Sequence, residues 1–185
     1  MTEQILCYYR DQISTPFLGR DELINQIPYL KTKFPTYKSY SLVRSLEDIF
    51  EANQLENAHN QVAYTFRTNV FENLGNNMFT IHSLPIEANF APVYAIFADD
   101  FDSDGNIDLL FGGNLMDASL NMGLYGASYG LLLKGDGKGE FKTISSQKSG
   151  ILINGQVRDI KRIKTPSGSN IFAITQNDDE IVFYK

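Results

Sequence analysis

The sequence predicts a mainly β fold, a partial β-propeller built of four-stranded antiparallel blades with a small helical insertion. Three observations carry this. Apolar residues recur with the short period of strands between Gly, Asn and Asp turns. The pattern repeats: "VFENLGNNMF" at 70–79 aligns with "LLKGDGKGEF" at 132–141, Phe79 meeting Phe141 62 residues on. A second block, "VYAIFADDFDSDGNIDLLFGGN" from Val93, aligns with "VRDIKRIKTPSGSNIFAITQND" from Val157, 64 residues on.

Taken in order, the strands are expected at 93–98, 107–112, 129–134 and 140–145, which together make one blade. Between the last two, "GDGKG" at 135–139 supplies residues that tolerate positive φ, as a tight hairpin demands. The equivalent turn of the preceding repeat is "NLGNN" at 73–77. The second copy gives strands at 157–163, 170–175 and 180–184, three strands into a further blade. Residues 20–60 break the rhythm. In "DELINQI", Leu23, Ile24 and Ile27 share one helical face, with Asp21 as N-cap and Pro28 ending that helix or starting another. In "SLEDIFEANQL", Ser45 is the cap and Leu46, Ile49 and Phe50 form the stripe. "ILCYYR" at 5–10 resembles "LLFGGN" at 109–114, so the chain is expected to start and end mid-blade. The organisation expected is therefore 1–19, the end of a truncated upstream blade; 20–60, the helical insertion; 61–92, outer strands of that upstream blade; 93–156, a complete blade; and 157–185, a partial one.

Composition narrows the function classes. The chain has 185 residues, 43% of them hydrophobic, enough for a sizeable core. Its 22 acidic against 16 basic residues leave a net charge of −6, which disfavours nucleic acid or an anionic membrane as the main partner and favours cations. Cys7 is the single cysteine and lies in an apolar run, a small hydrophobe rather than a nucleophile. The opening "MTEQILCYYR" lacks a basic start and a long apolar core, and no apolar run approaches a membrane span.

The chemistry concentrates in "ADDFDSDGNIDLLFGGN", 98–114. Ca²⁺ takes oxygen ligands, and carboxylates at positions 1, 3 and 5 of a tight loop converge on it. Those positions are Asp100, Asp102 and Asp104. Gly105 permits the turn, Asn106 offers its backbone carbonyl, and Asp108 closes the cage. An EF-hand requires Glu at position 12 and an exiting helix; position 12 is Phe111 and the exit is β-like. A solvated acidic turn would explain the charge but not the spacing. Asp99 falls outside the ligand register. At the 64-residue offset, Asp100, Asp102, Asp104 and Asp108 become Lys164, Pro166, Gly168 and Phe172, so one calcium site is expected, not two.

"DFDSDGNIDLLFGGN" followed by "YGLLLKGDGKGEF" resembles the FG-GAP or VCBS-type repeat, the calcium-binding blade of integrin α-subunit propellers and of many large secreted bacterial proteins. The resemblance covers 63–185. With "RDELINQIPYLKTKF" and the "SLEDIF" segment, the whole chain is similar to the C-terminal part of long bacterial VCBS-repeat proteins of Bacteroidetes type. It implies a structural Ca²⁺ between the first two strands of a blade, an extracytoplasmic address at the cell surface, and a non-catalytic role in binding a protein or glycan alongside further blades.

Other constellations weigh less. "GDGKGE" lacks the strand-turn-helix setting of a dinucleotide fingerprint. His59 and His82 have no zinc-ligand partner at suitable spacing. Tyr125, Tyr129, Phe97 and Phe111 would line a glycan surface or fill the core. The competing class is a propeller enzyme, a polysaccharide lyase or hydrolase with its active site outside this segment; the polar inner-strand set here is Tyr94, Arg158, Asp159, Lys161 and Arg162.

Overall fold

The computed structural model describes residues 3–118, 123–166 and 168–185. The chain divides into two compact units, Met1–Ala63 and Tyr64–Lys185.

The first unit begins with a hairpin, β1 (Cys7–Arg10) and β2 (Ile13–Pro16), which form a two-stranded sheet. Its two turn residues, Asp11 and Gln12, both have positive φ, 49° and 66°, the geometry whose twist matches a two-residue hairpin. The segment 5–10 that resembles 109–114 thus supplies the first strand of a local hairpin. Four short helices follow, α1 (Arg20–Gln26), α2 (Leu30–Lys33), α3 (Tyr37–Tyr40) and α4 (Ala52–Leu55), with a 3₁₀ turn at Leu46–Asp48. Leu23, Ile27 and Ile49 of the expected stripes join Leu30 and Phe34 in the unit's core, with Ile24 and Phe50 packed against it. The cap of α1 differs from expectation. Gly19 is the N-cap and its N–H donates to the Glu22 carboxylate at 3.0 Å, while Asp21 sits in the first turn and accepts from the Tyr37 hydroxyl at 2.5 Å. Ser45 does cap the 3₁₀ turn, and the Asp48 carboxylate accepts from the Arg44 and Ser45 N–H groups.

The second unit is mainly β, with every strand pair antiparallel. A two-stranded sheet, β3 (Asn69–Gly75) with β4 (Met78–Ser83), precedes a four-stranded sheet of β5 (Val93–Asp99), β6 (Asp108–Gly113), β7 (Leu131–Gly135) and β8 (Phe141–Ile144). A short helix, α5 (Ser146–Ser149), leads to a three-stranded sheet of β9 (Val157–Lys164), β10 (Asn170–Gln176) and β11 (Val182–Tyr184). None of these sheets closes on itself.

The side-chain alternation of strands makes the four-stranded sheet a two-sided core layer. Ala95, Phe97, Leu110 and Leu132 face Ile160, Ile174 and Tyr184 of the three-stranded sheet. Leu109, Phe111, Leu131, Leu133 and Phe141 face Val70, Leu84 and Ala88 on the side of the two-stranded sheet. Gly112 sets the closeness of the first interface. A Cβ there would lie 2.4 to 3.0 Å from three atoms of Val157, which is 1% exposed. The long connection after β6 is pinned by buried Asn114, whose side-chain amide donates to the Ser128 and Gly155 carbonyls and whose oxygen accepts from Ser128 N–H.

The sequence repeats are also repeats of register. Asn73 pairs with Phe79 in β3–β4 as Gly135 pairs with Phe141 in β7–β8, each partner 62 residues apart. Asp99 pairs with Asp108 where Ile163 pairs with Ile171. The residue equivalent to Asp108 is therefore Ile171, not Phe172, because the β9–β10 turn is one residue shorter than the loop it matches.

Candidate metal centre

The aspartate loop joins β5 to β6. Its backbone turns through the left-handed region at Ser103 (φ 62°) and Gly105 (φ 87°); open space surrounds Gly105, so the backbone angle rather than crowding calls for glycine. Aspartate is favoured here because its short carboxylate accepts from backbone N–H groups a few residues on. Asp100 accepts from Asp104 N–H at 3.1 Å and Gly105 N–H at 2.9 Å, Asp102 from Asp104 N–H at 3.2 Å, and Asp104 from Asn106 N–H at 2.9 Å.

Asp108 has a different setting. It is 2% exposed, and its two oxygens accept from Phe101 N–H at 3.1 Å and Gly135 N–H at 2.9 Å. It therefore ties the start of the loop to the end of β7. Carboxylate oxygens of Asp100, Asp102 and Asp108 all lie within 4.8 Å of one another.

Asp104, also expected in the cage, falls outside this trio. Asp104 pairs with the Lys134 ammonium at 2.8 Å, and its carboxyl is held below the usual aspartate range by that lysine first and by Asn106 N–H next. The Asn106 side-chain oxygen lies beside Gly137 of the β7–β8 turn, 2.4 Å from where a Cβ would be, and the φ of 72° there calls for glycine.

Lys134 was not legible from motif spacing. It stands at the end of β7, one step beyond the Leu109–Leu133 pair and so beside Asp108 in the ladder, and its ammonium bridges Asp102 and Asp104. Those two carboxylates keep it charged well above the usual lysine range. The signal lay in register: a lysine across from the cage's closing aspartate. Asp99, outside the cage as expected, pairs with Arg162 of β9.

The donor set is oxygen only and anionic, which suits a hard divalent cation such as Ca²⁺ and not a thiophilic or imidazole-seeking metal. The Lys134 ammonium meets one carboxylate of this set, Asp102, together with Asp104 of the same loop. A cavity of about 350 Å³ opens beside it, with Leu110, Leu132, Phe172 and Ile174 among its apolar walls and Asp102, Asp108 and Lys134 among its polar ones. The corresponding turn after β9 carries no carboxylate; Thr165 N–H donates to Ser169 C=O at 2.9 Å and Gly168 N–H to Thr165 C=O at 2.9 Å.

The remaining candidates are engaged elsewhere. Asp136 accepts from Lys138 and Glu140 N–H groups, making "GDGKG" a hairpin turn. The Arg158 guanidinium stacks on the Tyr94 ring at 4.6 Å, and Asp159 pairs with Lys161 at 3.1 Å. His82 contacts Glu72 at 2.9 Å and Glu140 at 3.7 Å. Phe97 and Phe111 lie in different core layers, one on each face of the sheet, so they line no common surface with Tyr125 and Tyr129. Burial pushes the Cys7 thiol up, away from nucleophilic use.

Compared with protein-family models, curated proteins and solved structures, the chain matches none.

Proposed function

We propose that the 100–108 loop is a structural calcium site and that the chain is a non-catalytic segment of FG-GAP or VCBS type, a partial β-propeller that serves protein or glycan binding. The convergence of Asp100, Asp102 and Asp108 oxygens within 4.8 Å carries the calcium reading. Asp100, Asp102 and buried Asp108 would hold the ion, which supplies positive charge and fixes the bend between β5 and β6. Face-to-face stacking of three antiparallel sheets with repeated register supports the propeller reading. The pairing of Arg158 with Tyr94, Asp159 with Lys161 and Arg162 with Asp99 supports binding over catalysis, since these charges are engaged with neighbours rather than aimed at one point. An oxygen-only calcium site fits the extracytoplasmic address that the resemblance implies.

The test is a thermal melt in Ca²⁺ and in chelator, for the wild type and Asp100→Asn. A site filled at a hundred times its dissociation constant adds about 2.7 kcal/mol. The wild type should gain stability and the variant should not; equal melting of the wild type in both buffers would remove the calcium claim. Incubation with a polysaccharide panel then separates binding from cleavage, because a binder retains glycan and releases no fragments.

A further inference from the structure

Each sheet interface in the second unit pairs one kind of face with the other. The face of the four-stranded sheet bearing Leu133, Phe141 and Thr143 is covered by the sheet before it, and the face bearing Phe97, Leu110 and Leu132 by the sheet after it. At the two ends of the series the equivalent faces are open. The 62-residue register places Phe71, Phe79 and Ile81 of β3–β4 where Leu133, Phe141 and Thr143 stand, and these three are 58%, 57% and 55% exposed. At the other end, the β9–β10–β11 row Lys161–Ala173–Phe183 matches the row Phe97–Leu110–Leu132. Phe183 is 60% exposed, and Ile163, one step along the same face, 46%.

We propose that copies of this chain associate head to tail, the Phe71–Phe79–Ile81 face of one against the Phe183–Ile163 face of the next. The occupant of each open face is argued from the two interfaces already inside the unit. In both, a face of the first kind meets a face of the second kind, and the two open ends are one of each. Neither row is dominated by charge: the β3–β4 face adds only Asn69, Asn73 and Ser83 to its apolar trio, and Lys161 carries its own partner in Asp159. Exposed aromatic and β-branched side chains that share a sheet face mark a contact surface. Because the two surfaces differ, the contact is heterologous and extends past a dimer unless it closes into a ring. This inference rests on register and exposure and is independent of the calcium reading.

Sedimentation velocity of the full chain over a wide concentration range tests it, with Phe79→Glu blocking one face and Phe183→Glu the other, and with far-UV circular dichroism showing both variants folded. Phe71→Glu and Ile163→Glu are second variants for each face. The wild type should form species larger than a dimer as concentration rises, and each variant alone should associate at least about tenfold more weakly. A one-to-one mixture of Phe79→Glu and Phe183→Glu should form a dimer that grows no further, since each supplies the face the other lacks. A wild type monomeric throughout, wild-type-like association of either variant, or a mixture no larger than its parts overturns the proposal. The last two results point to a symmetric contact or to other blades as the natural cover.

Discussion

Replacing Asp108 with Asn exchanges one carboxylate oxygen of a buried side chain for NH₂ and separates the two roles assigned to it. In the absence of metal, Asp108 accepts from Phe101 and Gly135 N–H groups with both oxygens at 2% exposure. Asn keeps one accepting oxygen and turns an NH₂ toward the other donor. A buried donor left unmatched costs about 1–3 kcal/mol, and the surviving bond falls from charge-assisted to neutral strength, so the total is roughly 2–4 kcal/mol. For a unit of this size that is a fall in Tm of roughly 6–20 °C, measured by calorimetry in chelator. Asp100→Asn should cost less in chelator, because Asp100 is only half-buried and its partners lie in the loop itself. Both variants should lose the calcium-induced rise. Amide exchange at Phe101 and Gly135 reports the lost bonds directly. If Asp108→Asn melts like the wild type in chelator with both amides still protected, the hydrogen-bond argument is wrong; if it keeps the full calcium shift, Asp108 is no ligand.

Three further outcomes are expected. Gly112→Ala should cost about 1–3 kcal/mol by driving a methyl into Val157, and Val157→Ala added to it should recover part of that loss, whereas additive costs would refute the close-approach account. Lys134→Gln should lower metal-free stability and tighten calcium binding by roughly threefold to tenfold, because the competing ammonium leaves the carboxylates; unchanged affinity by titration calorimetry would show that the lysine and the ion do not compete. Glu72 first, then Glu140, raise the His82 pKa above its ordinary value of 6.5 against an opposing effect of burial. A raised folded pKa gives stability that is complete below the unfolded value and disappears as pH rises through the folded one. The wild type should therefore lose stability relative to His82→Gln between about pH 6 and 8, and parallel pH profiles would dismiss the pairing.

Much of this protein is set locally and could be read from its sequence. The period of two places the strands from Val93 onward, the positive-φ residues of "NLGNN" and "GDGKG" place the hairpins, and Leu23, Ile27 and Ile49 place the helical core. The spacing of Asp100, Asp102 and Asp108 around Gly105 is also local, because carboxylates two apart in a tight turn must crowd. What the spacing could not give was which aspartates stay together. Asp104 lies outside the trio and pairs with Lys134 of β7, 30 residues on, which Asp102 meets as well, and Asp108 is fixed by the Gly135 amide from that strand. The one-residue difference between the β5–β6 loop and the β9–β10 turn, which makes Ile171 rather than Phe172 the counterpart of Asp108, is likewise visible only in the pairing. Sequence alone determined the repeat, the strand pattern and the acidic loop, since each depends on neighbours along the chain. Tertiary structure decided which carboxylates converge, which cation stands beside them and which sheet faces remain open, because those depend on register between strands that sequence distance does not fix.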